Sequence, residues 1–315
     1  MSVNIYRVFN TTIYSAIPLP ELELTNAKEP AEITFLASNQ IFPETSEFQW
    51  SQHWRLPDGR ILLSCAKLDN LFLLRFPEIA DFHINFETKV IQCHSHESVD
   101  DNTVRHLLLD QVIPRYLGHT GSIILHAGAV QKQGNCIAFL GGSGFGKSTL
   151  ASFFHNHGYT LLTDDCIMID SKKPYACIPS YTGVRMFDDS IYATFGNNFH
   201  TSSVASYSYK KRIELDRKTI YSEKNPCLAA IFLLDKSDSQ CETIKIQRLN
   251  GMQKIIELVK HSFIMDVSNQ STNSILFNKQ AAMANSKIPF FKLTYPNAYD
   301  LLPQVLGEVE SALNT

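Results

Sequence analysis

Three features of the sequence predict an α/β fold preceded by a smaller β-rich domain. An apolar run, Cys136 to Leu140, leads into Gly141-Gly142-Ser143-Gly144-Phe145-Gly146-Lys147-Ser148, and a helical pattern follows from Thr149, closed by Gly158. Two more apolar runs, Tyr159 to Thr163 and Cys227 to Leu234, each end in aspartate, as strands of an open α/β sheet do when their carboxyl ends face a ligand. Up to about residue 98, by contrast, short β-type runs recur between turn signals. The expected division is therefore a β-rich domain over residues 1–98, assigned to substrate recognition, and an α/β domain over 99–315.

In the first part, strands are expected at Ile5 to Phe9, Ile61 to Cys65, Leu71 to Phe76 and Phe82 to Phe86. Turns are marked by Pro18-Leu19-Pro20, Phe76-Pro77 and, as a hairpin, Pro57-Asp58-Gly59. Trp50, Trp54, Phe72 and Phe76 are read as core rather than as a peptide-binding face, because aromatics at strand spacing usually pack inward. Cys93-His94-Ser95-His96-Glu97 has metal-ligating residue types, yet alternation along a strand does not converge four ligands. It reads instead as a polar turn in which Ser98 or Asp100 caps the next helix. That helix, Asn102 to Leu117, has an apolar stripe at Val104, Leu107, Leu108, Val112, Ile113 and Tyr116, and Pro114 should kink it or end its regular part.

The second part begins with a strand, Ser122 to Val130, that pairs through the Gln133-Gly134-Asn135 turn with the strand feeding the glycine loop. The loop fits the phosphate-binding pattern G-x-x-x-x-G-K-[ST] in the context of strand, loop and helix. Its backbone N–H groups can curl around an anion, and the helix N-terminus adds partial positive charge. Lys147 is placed to reach the outer phosphates and Ser148 to ligate Mg²⁺, so Gly141, Gly142, Ser143, Gly144, Phe145, Gly146, Lys147, Ser148 and Thr149 form the expected nucleotide-binding set. Of the adjacent carboxylates Asp164 and Asp165, one can hold the metal and the other accept a proton from an attacking hydroxyl. Asp235 is a competing acid, ranked lower because it opens a polar loop. His126 lies beside the loop strand, where a functional role competes with plain packing. Lys210-Lys211-Arg212 reads equally as a phosphate or acidic-substrate contact and as a solvated strand. The remaining expected elements are helices near Gly251–Ser262, Ser274–Asn285 and Asn297–Leu313, and a strand from Phe290 to Tyr295.

Composition narrows the partners. A net charge of −3 supplies no global basic field for nucleic acid or an anionic membrane. No run of 18 apolar residues predicts a membrane span, and the first residues do not read as a signal peptide. Seven scattered cysteines without a C-x-x-C pattern suit reduced thiols in a cytosolic protein.

Taken together, His126-Ala127-Gly128-Ala129-Val130, the loop Gly141 to Ser148 and the motif Gly158-Tyr159-Thr160-Leu161-Leu162-Thr163-Asp164-Asp165 resemble the HPr serine kinase/phosphorylase family over residues 122–185. The resemblance implies an ATP- and Mg²⁺-dependent kinase acting on a serine of a protein or peptide, in a fold with that family's phosphate-loop domain. It further implies Asp164 as the base facing the acceptor, His126 orienting it, Ser148 and Asp165 on Mg²⁺, and a homo-oligomer. The layout is most similar to HPr-kinase-related proteins of ribosomally made peptides, including kinases of lasso-peptide precursors. It departs from the family where an acidic residue should precede Arg-Gly; Ser180-Tyr181-Thr182-Gly183-Val184-Arg185 stands there. A nucleotide-binding regulator that transfers nothing and a small-molecule kinase share the same loop chemistry.

Overall fold

The computed structural model describes the chain apart from residues 1–3, 26–29, 39–47, 57, 182, 197–199, 206–207, 214–224, 236–242 and 315. Parts of the Pro57-Asp58-Gly59 turn, of the loop after Asp235 and of the strand after Ile213 thus lie outside the described residues, as does Cys241. The described cysteines are free thiols. Two compact units result: one of residues 1–120 with 204–207 and 264–273, the other of 121–203, 208–263 and 274–315. This division falls after Thr120 rather than at the expected 98/99, because the first helical segment packs with the strands that precede it.

In the first unit, nine described strands make one sheet. They are Ile5–Val8 (β1), Thr11–Ser15 (β2), Glu23–Leu24 (β3), Ile33–Ser38 (β4), Gln49–Arg55 (β5), Ile61–Leu68 (β6), Leu71–Phe76 (β7), Ala80–Asn85 (β8) and Val90–Ser95 (β9), in the order β3-β1-β2-β4-β9-β8-β7-β6-β5. The expected β-richness is therefore present as a long antiparallel meander, β5 to β9, joined by parallel pairing of β4 with β2 and β9. Alternation seats Phe35, Leu63, Leu73, Phe82, Ile84 and Ile91 in the core, as a period-two pattern requires. Phe72 and Phe76 are buried as expected, whereas Trp50 on β5 is 41% exposed and lies under Arg75.

Asp100 caps the helix by accepting the Thr103 N–H at 2.9 Å, one of the two caps foreseen. Pro114 neither ends nor breaks the helix. Asp101–Leu107 (α1) passes through one π-helical stretch, Leu108–Val112, into Ile113–His119 (α2). Pro114 lacks an N–H and its ring would strike the carbonyl of Asp110 in a regular α-helix; the widened turn just before it makes the room.

The second unit is built on Ile123–Lys132 (β10), Asn135–Leu140 (β11), Lys147–Asn156 (α3), Thr160–Thr163 (β12), Cys166–Ile169 (β13), Cys177–Pro179 (β14), Val184–Met186 (β15), Asp188–Phe195 (α4), Thr201–Ser203 (β16), Lys211–Ile213 (β17), Cys227–Leu234 (β18), Lys245–Arg248 (β19), Gly251–Lys260 (α5), Gln270–Ala284 (α6), Phe290–Thr294 (β20) and Leu302–Leu313 (α7). Its main sheet runs β14-β13-β10-β11-β18-β20-β19, with β12 also on β10, and β15-β17-β16 form a small second sheet. Gln133 and Gly134 both take positive φ, the two-residue hairpin geometry that matches strand twist, and so register β10 on β11. The parallel trio β11-β18-β20 brings the chain just beyond Leu140, Leu234 and Thr294 to one edge, which is where Gly141, Asp235 and Tyr295 stand. Phe139, Phe154, Leu161, Phe232, Leu293 and Val305 belong to one core cluster, which packs α3 and α7 on the sheet.

The C-terminal elements follow the sequence with shifted ends. α5 starts at a capping box between Asn250 and Gln253. α6 begins four residues before the expected Ser274. α7 begins at Leu302, with Pro303 in its first turn, after a short 3₁₀ turn. Among the described residues no helix is long and apolar enough to cross a membrane.

Candidate active site

The glycine loop joins the buried end of β11 to α3, and its shape follows from what lies around it. Gly146 is the N-cap of α3 with φ +88°, and a Cβ there would approach the Tyr295 hydroxyl to 3.2 Å. Behind the loop, a Cβ on Gly128 would come within 3.3 Å of the Lys147 carbonyl, so glycine on β10 lets the helix start close to the sheet. No side chain caps α3, and the first helical amide bond runs from Leu150 N–H to Gly146 O. Among the described residues, the Ser143, Gly144 and Gly146 amides have no acceptor, while Phe145 N–H bonds to Gly142 O. The loop therefore leaves N–H donors without backbone acceptors at a positive helix end, a donor set that suits an anion. Phe145 packs against the core cluster, and its ring also lies against the loop, where a Cβ on Gly142 would come within 3.0 Å of it.

Lys147 folds back over this cradle. Its Nζ donates to Gly141 O at 2.9 Å and Gly142 O at 3.1 Å, and the residue is 6% exposed. Burial pushes the ammonium down to about 8; Lys210 adds to this, while Asp165 and Asp164 oppose it. Ser148 and Thr149 lie half-buried in the first turn of α3.

The aspartate pair sits where the partner of β10 changes. β12 runs against Ala129–Gln131 and β13 against Ile123–His126, with a register shift at Ala129/Val130. Asp164-Asp165 is the link between the two, pinned by the Ala127 N–H donating to Asp165 O at 2.9 Å. It is thus a turn between strands that both pair with β10.

Arg185 on β15 holds both acids. Its backbone N–H donates to Asp164 Oδ2 at 2.8 Å, and its Nη2 lies 2.8 Å from Asp165 Oδ2 and 3.7 Å from Asp164 Oδ1. Asp164 is 4% exposed, and Asp165 is the more open of the two. His126 Nδ1 lies 3.5 Å from Asp165 Oδ1. Burial, then Lys147, Arg185 and Lys210, push its imidazole down to about 4 against the pull of Asp165, so it is neutral at pH 7. Its backbone N–H donates to His261 O at 2.8 Å, and its ring meets Phe263 edge-on.

Of the residues expected at the site between 126 and 165, the loop lies at the end of β11, His126 on the neighbouring β10, and Asp164-Asp165 in the turn between β12 and β13 that also pairs with β10. Asp235 shares the loop's edge but is 2.7 Å from Lys292 Nζ. Of the basic run, Lys211 pairs with Asp188 at 2.8 Å, and Lys210 lies over the Phe187 ring. Cys93 is buried within β9, away from any metal cluster; among the described residues no three His, Cys, Asp or Glu side chains converge as one. A hydroxyl, one carboxylate and phosphate oxygens nevertheless suit Mg²⁺, which rarely uses an all-protein cage.

Three contributors escaped the sequence reading. Arg185 was visible only as an arginine between apolar residues in Val184-Arg185-Met186, a pattern that buries a charge and so demands an acid. His261 and Tyr295 had no local signal; they arrive through long-range strand pairing.

No family model matches the sequence, and no curated protein matches it. Among solved structures, the HPr(Ser) kinase/phosphatase from Coxiella burnetii aligns over 61% of this chain and 99% of that chain at 10% identity, with a TM-score of 0.31.

Proposed function

We propose that this protein is an ATP- and Mg²⁺-dependent phosphotransferase that phosphorylates a serine hydroxyl of a protein or peptide. The observation that carries the reading is the convergence of the donor-lined loop and its buried Lys147 with an aspartate pair that Arg185 clamps. A site for binding alone has no use for two carboxylates fixed beside the lysine.

In this reading the loop amides and Lys147 hold the β- and γ-phosphates, Lys147 leaving its carbonyl partners to do so. Mg²⁺, held by Ser148 and Asp165, supplies charge neutralisation at the phosphate oxygens. Asp165 is the acid given to the metal because it is the more open of the pair and acts more strongly on Lys147. Asp164 receives the serine proton. Its Oδ1, at 3.7 Å from the guanidinium, is the looser of its Arg185 contacts and the atom assigned to that proton. Neutral His126, expected to orient Asp164, has its Nδ1 3.5 Å from Asp165 Oδ1 and is assigned to that acid instead. The chain contributes positioning and fixed charge, which is most of what phosphoryl transfer needs. A cytosolic protein whose acceptor is a ribosomally made precursor peptide is the narrower form of the proposal, resting on resemblance of layout.

The test is transfer of label from γ-labelled ATP to serine-bearing peptides. Wild type should label a serine, and Lys147→Ala should lose the transfer by on the order of a thousandfold while remaining folded. Saturable ATP binding with no label in any acceptor would replace this reading with that of a nucleotide-binding regulator.

A further inference from the structure

The first unit carries a cleft of its own. Its volume is about 360 Å³, within the range of small-molecule sites, and all its lining residues belong to that unit. Two turns build it. Asp69, at φ +50°, and Asn70 make the two-residue turn between β6 and β7, and Phe72 pairs directly with Lys67 across that hairpin. The turn after β8 is held by Asn85 Oδ1, which accepts the Glu87 and Thr88 N–H groups at 3.0 Å each. Asn70 Nδ2 donates to Glu87 Oε1 at 2.6 Å and ties the two turns together.

Three rings line its less exposed part. Phe72 is buried, and Phe86 and His119 are half-buried. The Phe72 ring centre lies 5.5 Å from that of Phe86 and 4.9 Å from that of His119, and the last two are 4.6 Å apart. Burial, with Lys67 adding and Asp266 opposing, holds the His119 imidazole below its usual range, so its ring is neutral at pH 7. The exposed part is charged. Asn70 takes Glu87, but among the described residues neither Lys67 nor Asp69 has an ion-pair partner, and they do not pair with one another. Lys67 Nζ stands 5.4 Å from the centre of the Phe72 ring. Asn269 Oδ1 accepts from Ser271 Oγ at 2.9 Å and from Thr272 N–H at 3.2 Å, so its Nδ2 is the end of that amide left to a ligand.

We infer that this cleft binds a free aromatic amino acid, its ring against Phe72, Phe86 and His119, its carboxylate at Lys67 and its ammonium at Asp69. A flat π-system suits a wall of rings, which favour edge-on and offset contacts. A cation and an anion that share one cleft without pairing match a zwitterion. A singly charged aromatic would meet one attractive and one repulsive charge there. The site shares no residue with the glycine loop and stands whether or not phosphate is transferred.

Ligand-observed NMR titration of the full chain with L-phenylalanine, N-acetyl-L-phenylalanine and L-phenylalaninamide tests the site. L-phenylalanine should bind with a Kd of about 1 mM or below, and each derivative, lacking one charge, about tenfold more weakly. Lys67→Gln should weaken L-phenylalanine by about tenfold and leave the amide, which has no carboxylate, no weaker. Asp69→Asn, whose new side chain tolerates the positive φ, should weaken L-phenylalanine to the same degree and spare the N-acetyl derivative. Phe86→Leu should weaken all three ligands by about fivefold. Derivatives that bind as tightly as the amino acid would give the cleft to an aromatic side chain of a peptide and overturn the proposal. No binding of L-phenylalanine at about 10 mM, or equal losses for all three ligands in both charge variants, would overturn it as well.

Discussion

The two units both bury charge but neutralise it differently. In the first, the buried acids Glu21 and Asp110 lie against basic side chains, with Arg105 Nε 3.1 Å from Glu21 Oε1 and His106 Nδ1 2.5 Å from Asp110 Oδ2, while Arg115 donates to the Gln111 carbonyl at 3.0 Å. In the second, one arginine serves two carboxylates, and the most buried lysine leans on backbone carbonyls instead of an acid. A buried ion against a counter-ion stabilises its own neighbourhood and has little reason to move. A lysine resting on neutral carbonyls has a weak hold, and a polyphosphate offers it a better one. At the glycine loop, that weak hold leaves the Lys147 charge available to a ligand.

The comparison breaks most visibly at Arg185. Arg185→Ala leaves two carboxylates near one another without their shared cation and should cost about 3–5 kcal/mol in urea denaturation. A loss under about 1 kcal/mol would mean that the pair is solvated and not clamped.

Titration sharpens it next. Lys147 falls from 10.5 to about 8 on folding, so between those values the unfolded chain holds a proton that the folded chain has released. Stability should therefore rise with pH across that window, by at most about 3 kcal/mol, and Lys147→Met should flatten the rise. His83 of the first unit acts with the same sign at the acid end. Its burial lowers it from 6.5 to about 4, so its share of stability is complete above pH 6.5 and is lost as pH falls toward 4. Denaturation midpoints followed from pH 4 to 10.5 read both windows; His126 and His261, also lowered to about 4, share the acid one, so His83→Phe should shrink it and leave the alkaline one unchanged.

The smallest effect belongs to the loop's own geometry. Gly146→Ala places a Cβ at φ +88° and 3.2 Å from the Tyr295 hydroxyl, which should cost about 1–2 kcal/mol in thermal unfolding. Gly144→Ala, with φ +80° and open space around it, should cost less, about 1 kcal/mol.

Much of this was legible without coordinates, for local reasons. The Gln133-Gly134 hairpin, the Asp100 cap and the strand–loop–helix around Lys147 each depend on residues within a few positions of one another. The end of the first helical segment was harder to place. Pro114 argued for a break, but a single π-turn absorbs the proline at no loss of continuity, and propensity does not encode that choice. Trp50 misled for a related reason: it has the residue type of a core strand, yet β5 is the sheet's edge, and an edge is a property of the whole sheet.

What the sequence determined by itself was the phosphate-type loop, the acids that follow two of its strands and the β-rich character of the first part, because each is written in contiguous residues. Only the tertiary structure decided which charges meet there. Arg185 reaches the acid turn because β15 and β17 pair in one register and not its neighbour. Shifting that register by one residue would move every side chain of the strand to the opposite face. That choice is made by packing across the unit, where no local signal reaches.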